Sequence, residues 1–120
     1  MPISITFTLP FRLASKSNSY RAGRGRVYKA PAIVAQEAAI KAIALISVPI
    51  GWQPSLRPWK AEINLYVSDK RRFDIDNTAK ILLDCLNGMV WRDDSQVVTL
   101  IIHKRLGCTT TETEVILTEL

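Results

Sequence analysis

The chain has 120 residues, 48% of them hydrophobic, with 16 Lys and Arg against 11 Asp and Glu and only two cysteines. That size and apolar fraction suit one packed domain over residues 1–120 and exclude wholesale disorder. Cys85 and Cys108 cannot make a disulfide framework, and no apolar run approaches the ~18 residues of a membrane span, so a soluble intracellular protein without a membrane partner is expected.

Residues 3–9 alternate apolar and hydroxyl side chains, the period-two pattern of a half-buried strand that Pro10 ends. Residues 11–29 read as a long basic connection carrying Tyr20 and Tyr28, a length usually reserved for functional or disordered loops. Pro31 suits the first turn of a helix over 31–47, with Ile33, Ile40 and Ala44 along one side and Glu37 paired to Lys41 on another. Pro49, Gly51, Pro54 and Pro58 mark a turn region. Strand alternation returns from Trp59 to Val67, with Ala61, Ile63, Leu65 and Val67 on one face and Lys60, Glu62, Asn64 and Tyr66 on the other.

A short basic loop at 68–73 leads to a second helix over about 75–88, ended by Asn87-Gly88. Residues 96–105 read as a third strand, Gly107 turns the chain, and 112–119 alternate as a fourth. The order β-α-β-α-β-β predicts a single α/β (α+β) domain with a mixed sheet, two helices packed on it and a final antiparallel hairpin.

Charge is divided unevenly along the chain. Residues 1–73 carry twelve Lys and Arg against three acids, while residues 74–120 carry four bases against eight acids. A polyanion is attracted to the first part, because each cation docked on a phosphate releases condensed counterion. Yet Asp74, Asp76, Asp84, Asp93 and Asp94 follow the densest basic run. A pure nucleic-acid binder gains nothing from carboxylates beside its phosphate contacts, unless a cation sits between them.

Within the second helix, Ile75, Ala79, Leu82, Leu86 and Met89 step by three or four and form the apolar stripe, while Asp76, Lys80 and Asp84 share a polar side. Each acid also has an ordinary explanation. Asp74 or Asp76 would cap the helix, Asp76 and Asp84 would pair with Lys80 on the surface, and Asp93-Asp94 would open a turn. Taken together, several aspartates with one histidine and no thiolate nearby form the hard-oxygen set that Mg²⁺ or Mn²⁺ selects. A calcium loop from Asp74 fails at Ala79 and Cys85, where Gly and Glu are needed. The absence of a Gly-rich Lys-Ser/Thr loop argues against a nucleotide cofactor. Metal-assisted chemistry on a phosphodiester is the remaining reading, provided that Asp94 meets Asp74 and Asp76 in space.

The string Lys70-Arg71-Arg72-Phe73-Asp74-Ile75-Asp76-Asn77-Thr78-Ala79-Lys80, followed by Leu83-Asp84-Cys85-Leu86-Asn87-Gly88 and Trp91-Arg92-Asp93-Asp94-Ser95-Gln96-Val97, strongly resembles the RusA family of Holliday junction resolvases. Looser similarity extends through Ser17-Asn18-Ser19-Tyr20-Arg21 and Arg24-Gly25-Arg26-Val27-Tyr28, a segment that departs from the family in having only Pro10 ahead of it. The resemblance implies a homodimeric, Mg²⁺- or Mn²⁺-dependent endodeoxyribonuclease making paired nicks in four-way junction DNA during recombination and repair. It also implies a cytoplasmic setting, bacterial and nucleoid-associated or virus-encoded. Asp74, Asp76 and Asp94 match its essential acids, Asp93 is a neighbour in the metal-binding cluster, and Lys80 matches its essential lysine. Lys70, Arg71, Arg72, Lys16, Arg21, Arg24, Arg26 and Lys29 are the expected DNA contacts. Two symmetric cuts also call for two subunits, with the apolar strand Val97 to Ile102 and Trp52, Trp59 or Trp91 equally suited to an interface or the core. A silent nucleic-acid-binding module and a nuclease for flaps, forks or other branched DNA are the alternatives.

Overall fold

A four-stranded mixed sheet forms the centre of the computed structural model, which describes residues 2–14, 20–23, 26–70, 75 and 78–120. In chain order the elements are β1 (Ser4–Leu9), β2 (Tyr20–Gly23), β3 (Arg26–Lys29), α1 (Pro31–Ser47), β4 (Trp59–Tyr66), α2 (Thr78–Cys85), β5 (Val97–Arg105) and β6 (Glu112–Glu119), with one 3₁₀ turn, Asp94–Gln96, before β5. The expected α+β class holds.

Strand order in the sheet is β1-β6-β4-β5. β6 is antiparallel to both β1 and β4, and β5 is parallel to β4. A parallel pair cannot be joined by a tight turn, and here α2 lies in the connection, as parallel pairing requires. The sheet buries one face. Ile5, Phe7 and Leu9 of β1, Val115 and Leu117 of β6, and Trp59, Ala61, Ile63 and Leu65 of β4 all point into the core. The helices cover that side, α1 packing on β1 and α2. On α1 the buried residues are Ile33, Ile40 and Ala44, the expected stripe. The ion pair that forms at Glu37 is with Lys29 of β3, at 2.9 Å.

Three expectations need correction. The last two strands do not form a hairpin, because β4 lies between them. All four core-facing residues of β4 have zero exposure, so this strand needs neighbours on both sides. The chain from β5 to β6 accordingly passes over the end of β4. Val67 N–H donates to Arg105 O at 2.9 Å, Cys108 N–H to Val67 O at 3.0 Å and Ser68 N–H to Thr111 Oγ1 at 3.0 Å.

The basic connection 11–29 is not all loop, since β2 and β3 pair antiparallel from Tyr20↔Lys29 to Gly23↔Arg26. The helix expected over 75–88 is shorter, Thr78–Cys85. Its buried side is wider than the stripe read from the sequence, adding Thr78, Ile81, Leu83 and Cys85 to Ala79 and Leu82. Trp59 and Trp91 are wholly buried and meet edge-on at 5.8 Å, which places them in the core, and the half-buried Trp52 packs against Trp59 at 6.1 Å.

Candidate active site

Two neighbouring pieces of chain build the acidic centre. Burial of Ala79, Leu82 and Cys85 turns Lys80 and Asp84 outward on α2, where their spacing of four stacks them one turn apart. Beyond α2 the chain reverses through Gly88, whose positive φ of 76° suits glycine, and Gly88 N–H donates to Trp91 O at 2.7 Å. Trp91 fixes the reversal from inside, its indole Nε1–H donating to Asn87 Oδ1 at 2.9 Å. The return brings the 3₁₀ turn carrying Asp94 back against α2.

That turn is held by two side chains. Asp93 Oδ2 accepts the Ser95 N–H at 3.0 Å while Gln96 Oε1 accepts the Asp93 N–H at 3.0 Å, a reciprocal capping box. Gln96 Oε1 also accepts the Arg92 N–H at 3.0 Å, and its Nε2 donates to Ser55 O and Arg57 O, both at 2.8 Å. Gln96 therefore fastens the turn to the segment ahead of β4.

Asp94 is drawn close enough to Asp84 for their carboxyl groups to hydrogen-bond, with Lys80 nearby. Burial first, then the Asp84 carboxylate and the negative charge of Asp93, push the Asp94 pKa above the ordinary carboxylate range, and the Lys80 ammonium pulls against them. Asp93 goes the other way, lowered by hydrogen bonds from the Ser95 side chain and backbone. The expectation that Asp93-Asp94 opens a turn is thus realised, with Asp93 as its N-cap.

Two carboxyl groups this close need a proton or a cation between them, and their oxygens are hard donors of the kind divalent Mg²⁺ or Mn²⁺ takes. The donor chemistry fits such an ion. Among the described residues, no three acidic, imidazole or thiol groups gather into a metal cluster. Asp74, Asp76, Arg71, Arg72, Lys16 and Arg24 lie outside the described residues, as does the relation of Asp94 to Asp74 and Asp76. Arg21 lies on β2 and Arg26 on β3. Lys70 is exposed and its Cε would approach a Cβ at Gly107 to 3.3 Å, placing Lys70 against the β5–β6 connection. Lys29, expected on DNA, is engaged by Glu37.

Two residues outside the expected set belong to this centre. Asp84 was legible as a member of the polar side of α2 by its spacing from Lys80, but nothing local marks it as the partner of Asp94. Gln96 stands three residues after Asp93, the capping-box interval. That interval alone does not show that its amide reaches Ser55 and Arg57.

An α+β domain that gathers Lys80, Asp84 and Asp94, in a chain whose first 73 residues carry twelve Lys and Arg against three acids, has the layout of a protein that acts on nucleic-acid phosphates. Residues 10–118, nearly the whole chain, match the family model described as endodeoxyribonuclease RusA, and the chain belongs to that family. Family membership makes it a nuclease and implies Holliday junction resolvase activity. No individual curated protein matches the chain.

Proposed function

We propose that this protein is a Mg²⁺- or Mn²⁺-dependent resolvase that acts as a homodimer and nicks four-way DNA junctions at paired, symmetric positions in recombination and repair. Its family membership over residues 10–118 carries this reading. The meeting of Asp94 with Asp84 and Lys80 supports it, since a carboxylate pair beside a lysine is arranged for charge rather than for packing.

Asp74, Asp76 and Asp94 would hold the cation, with Asp93 and Asp84 alongside. When bound, the divalent ion supplies a polarised water and neutralises charge on the phosphate oxygens. Lys80 offers an ammonium for the phosphate or for the attacking water's orientation. Gln96 keeps Asp94 in place by tying the 3₁₀ turn to Ser55 and Arg57. Lys70, Arg71, Arg72, Lys16, Arg21, Arg24, Arg26 and Lys29 would follow the phosphates flanking the cut.

Incubating the protein with end-labelled four-way, flapped, forked and linear DNA, with Mg²⁺, Mn²⁺ or chelator, tests the reading. Paired cuts confined to the four-way substrate and lost with chelator are expected. Preferential cleavage of flaps or forks would change the substrate, and binding without cleavage in either metal would leave a nucleic-acid-binding module.

A further inference from the structure

β5 is one edge of the sheet, opposite β1. It is nine residues long, and among the described residues no strand pairs with its outer side. Natural sheets blunt such edges with short strands, inward charges or covering elements, because an open row of N–H and C=O groups recruits another strand. β5 instead exposes Val98 and Leu100, at 62% and 45%. Its register with β4 shifts between Trp59↔Val97 and Lys60↔Thr99, so Val98 is the extra residue of a bulge near the strand's start and the remaining stretch is regular.

Charge on this strand is polar along its length. Asp93 and Asp94 stand just before its first residue, and His103, Lys104 and Arg105 close it. The loop bearing Lys70 lies at that same closing end, since Val67 bonds Arg105 and Gly107 N–H donates to Asp69 O. Strand rise puts the acidic and basic ends of β5 roughly 30 Å apart within one chain. The basic end of β5 therefore stands well away from the acidic start of the same strand.

We propose that β5 is the edge through which two copies of this chain pair, antiparallel about a two-fold axis near Thr99 to Ile101, to make one continuous eight-stranded sheet. A two-fold operation makes edge pairing self-complementary by construction. It also sets the basic end of each β5 beside the acidic end of its partner, which no parallel or head-to-tail arrangement of the same strands achieves. Each Asp84–Asp94 centre then gains the positive end of the other subunit, including Lys70 and Arg105, as a neighbouring phosphate-binding surface. Val98 and Leu100 come together near the axis and lose their exposure. The inference rests on the homodimer reading above and adds to it where the subunits meet.

Light scattering coupled to size exclusion, with site-directed cross-linking, tests both layers separately. The wild-type chain should run at twice its 13.5 kDa. The double variant Val98→Lys, Leu100→Lys should weaken the dimer by tenfold or more, since like charges then face each other at the axis. Its circular dichroism checks that it folds. In a Cys108→Ser background, Thr99→Cys should be captured as a covalent dimer by a short bis-maleimide, and Thr6→Cys on β1, the opposite edge of the sheet, should not. A wild-type dimer in which Thr99→Cys fails to cross-link, or Thr6→Cys cross-links instead, overturns the β5 edge and leaves the homodimer standing. A monomeric wild type overturns both.

Discussion

Asp84 and Asp94 meet at hydrogen-bonding range from two separate pieces of chain, an α-helix and a 3₁₀ turn, with Lys80 as the nearby cation. Burial and the neighbouring Asp84 carboxyl raise the Asp94 pKa. Asp94→Asn replaces the half-buried acid by an amide that donates to Asp84, so folding stability should hold or rise by on the order of 0.5 kcal/mol. Nicking should fall by about 100-fold or more, because a cation ligand is lost. Asp84→Asn keeps the shape and should lower cleavage by roughly tenfold while raising the Mg²⁺ needed for half-maximal rate. Full cleavage at unchanged Mg²⁺ dependence would take Asp84 out of the site.

Gln96 holds the position of Asp94 without touching the reacting atoms. Its amide makes four hydrogen bonds, two to backbone N–H groups of its own turn and two to carbonyls of Ser55 and Arg57. Gln96→Ala leaves those groups to water and should cost about 1–3 kcal/mol. At temperatures where the variant is folded, its cleavage rate should drop more than its junction affinity. Gln96→Glu keeps the acceptor and loses the donor, so only the capping half should recover. Equal loss of affinity and rate would mean that the turn supports DNA binding rather than Asp94.

The basic residues are not equivalent. Lys29 spends its charge on Glu37 at 2.9 Å, whereas Lys70 stands exposed at the end of the sheet. Each phosphate contact contributes about 0.9 to the slope of log affinity against log salt. Lys70→Ala should reduce that slope by about 0.9, and Lys29→Ala should change it less. Titration of labelled four-way DNA at several salt concentrations measures both. A larger change at Lys29 would show that DNA displaces Glu37.

What the sequence reveals here follows the range of each interaction. Period-two alternation reports which residues of β1, β4 and β6 face the core, and the 3.6-residue repeat locates Ile33, Ile40 and Ala44 on α1, because both depend on neighbours a few positions away. Strand order depends on which edges remain unsatisfied after packing. Gly107 between two alternating segments looks like a hairpin turn, and only the complete burial of β4 explains why β5 and β6 lie on opposite sides of it. The paired strands β2 and β3 were hidden by a basic, serine-rich composition typical of loops. The same division holds at the site, where the spacing of Lys80 and Asp84 is legible but the approach of Asp94 depends on the Gly88 reversal.

Cys85 gives a pH signature in the alkaline range, above that of the carboxylates. Burial first, then Glu37, push its thiol pKa above the ordinary thiol range, with Lys41 and Lys29 opposing. The fold favours the protonated thiol, so its contribution is present below the ordinary thiol pKa and is lost as pH rises through the raised value. The stability advantage of wild type over Cys85→Ala should therefore shrink between about pH 7 and pH 10. Urea midpoints at several pH values follow the difference, and a constant gap would mean that the thiolate is tolerated in the fold.

Trp59 and Trp91 occupy one core and differ in a single polar atom. Both are fully buried, but Trp91 Nε1–H donates to Asn87 Oδ1 at 2.9 Å while the Trp59 Nε1–H has no partner among the described residues. Replacing either by Phe removes a similar volume, so the packing losses are comparable. Trp91→Phe also forfeits a hydrogen bond worth about 0.5–1.5 kcal/mol, whereas Trp59→Phe removes a buried donor whose unmet desolvation costs about 1–3 kcal/mol. Trp91→Phe should therefore be the more destabilising by on the order of 2 kcal/mol, read as a lower urea midpoint at unchanged m-value. The larger loss falling on Trp59→Phe would require that its indole N–H be satisfied in solution, by water or by a residue outside the described segments.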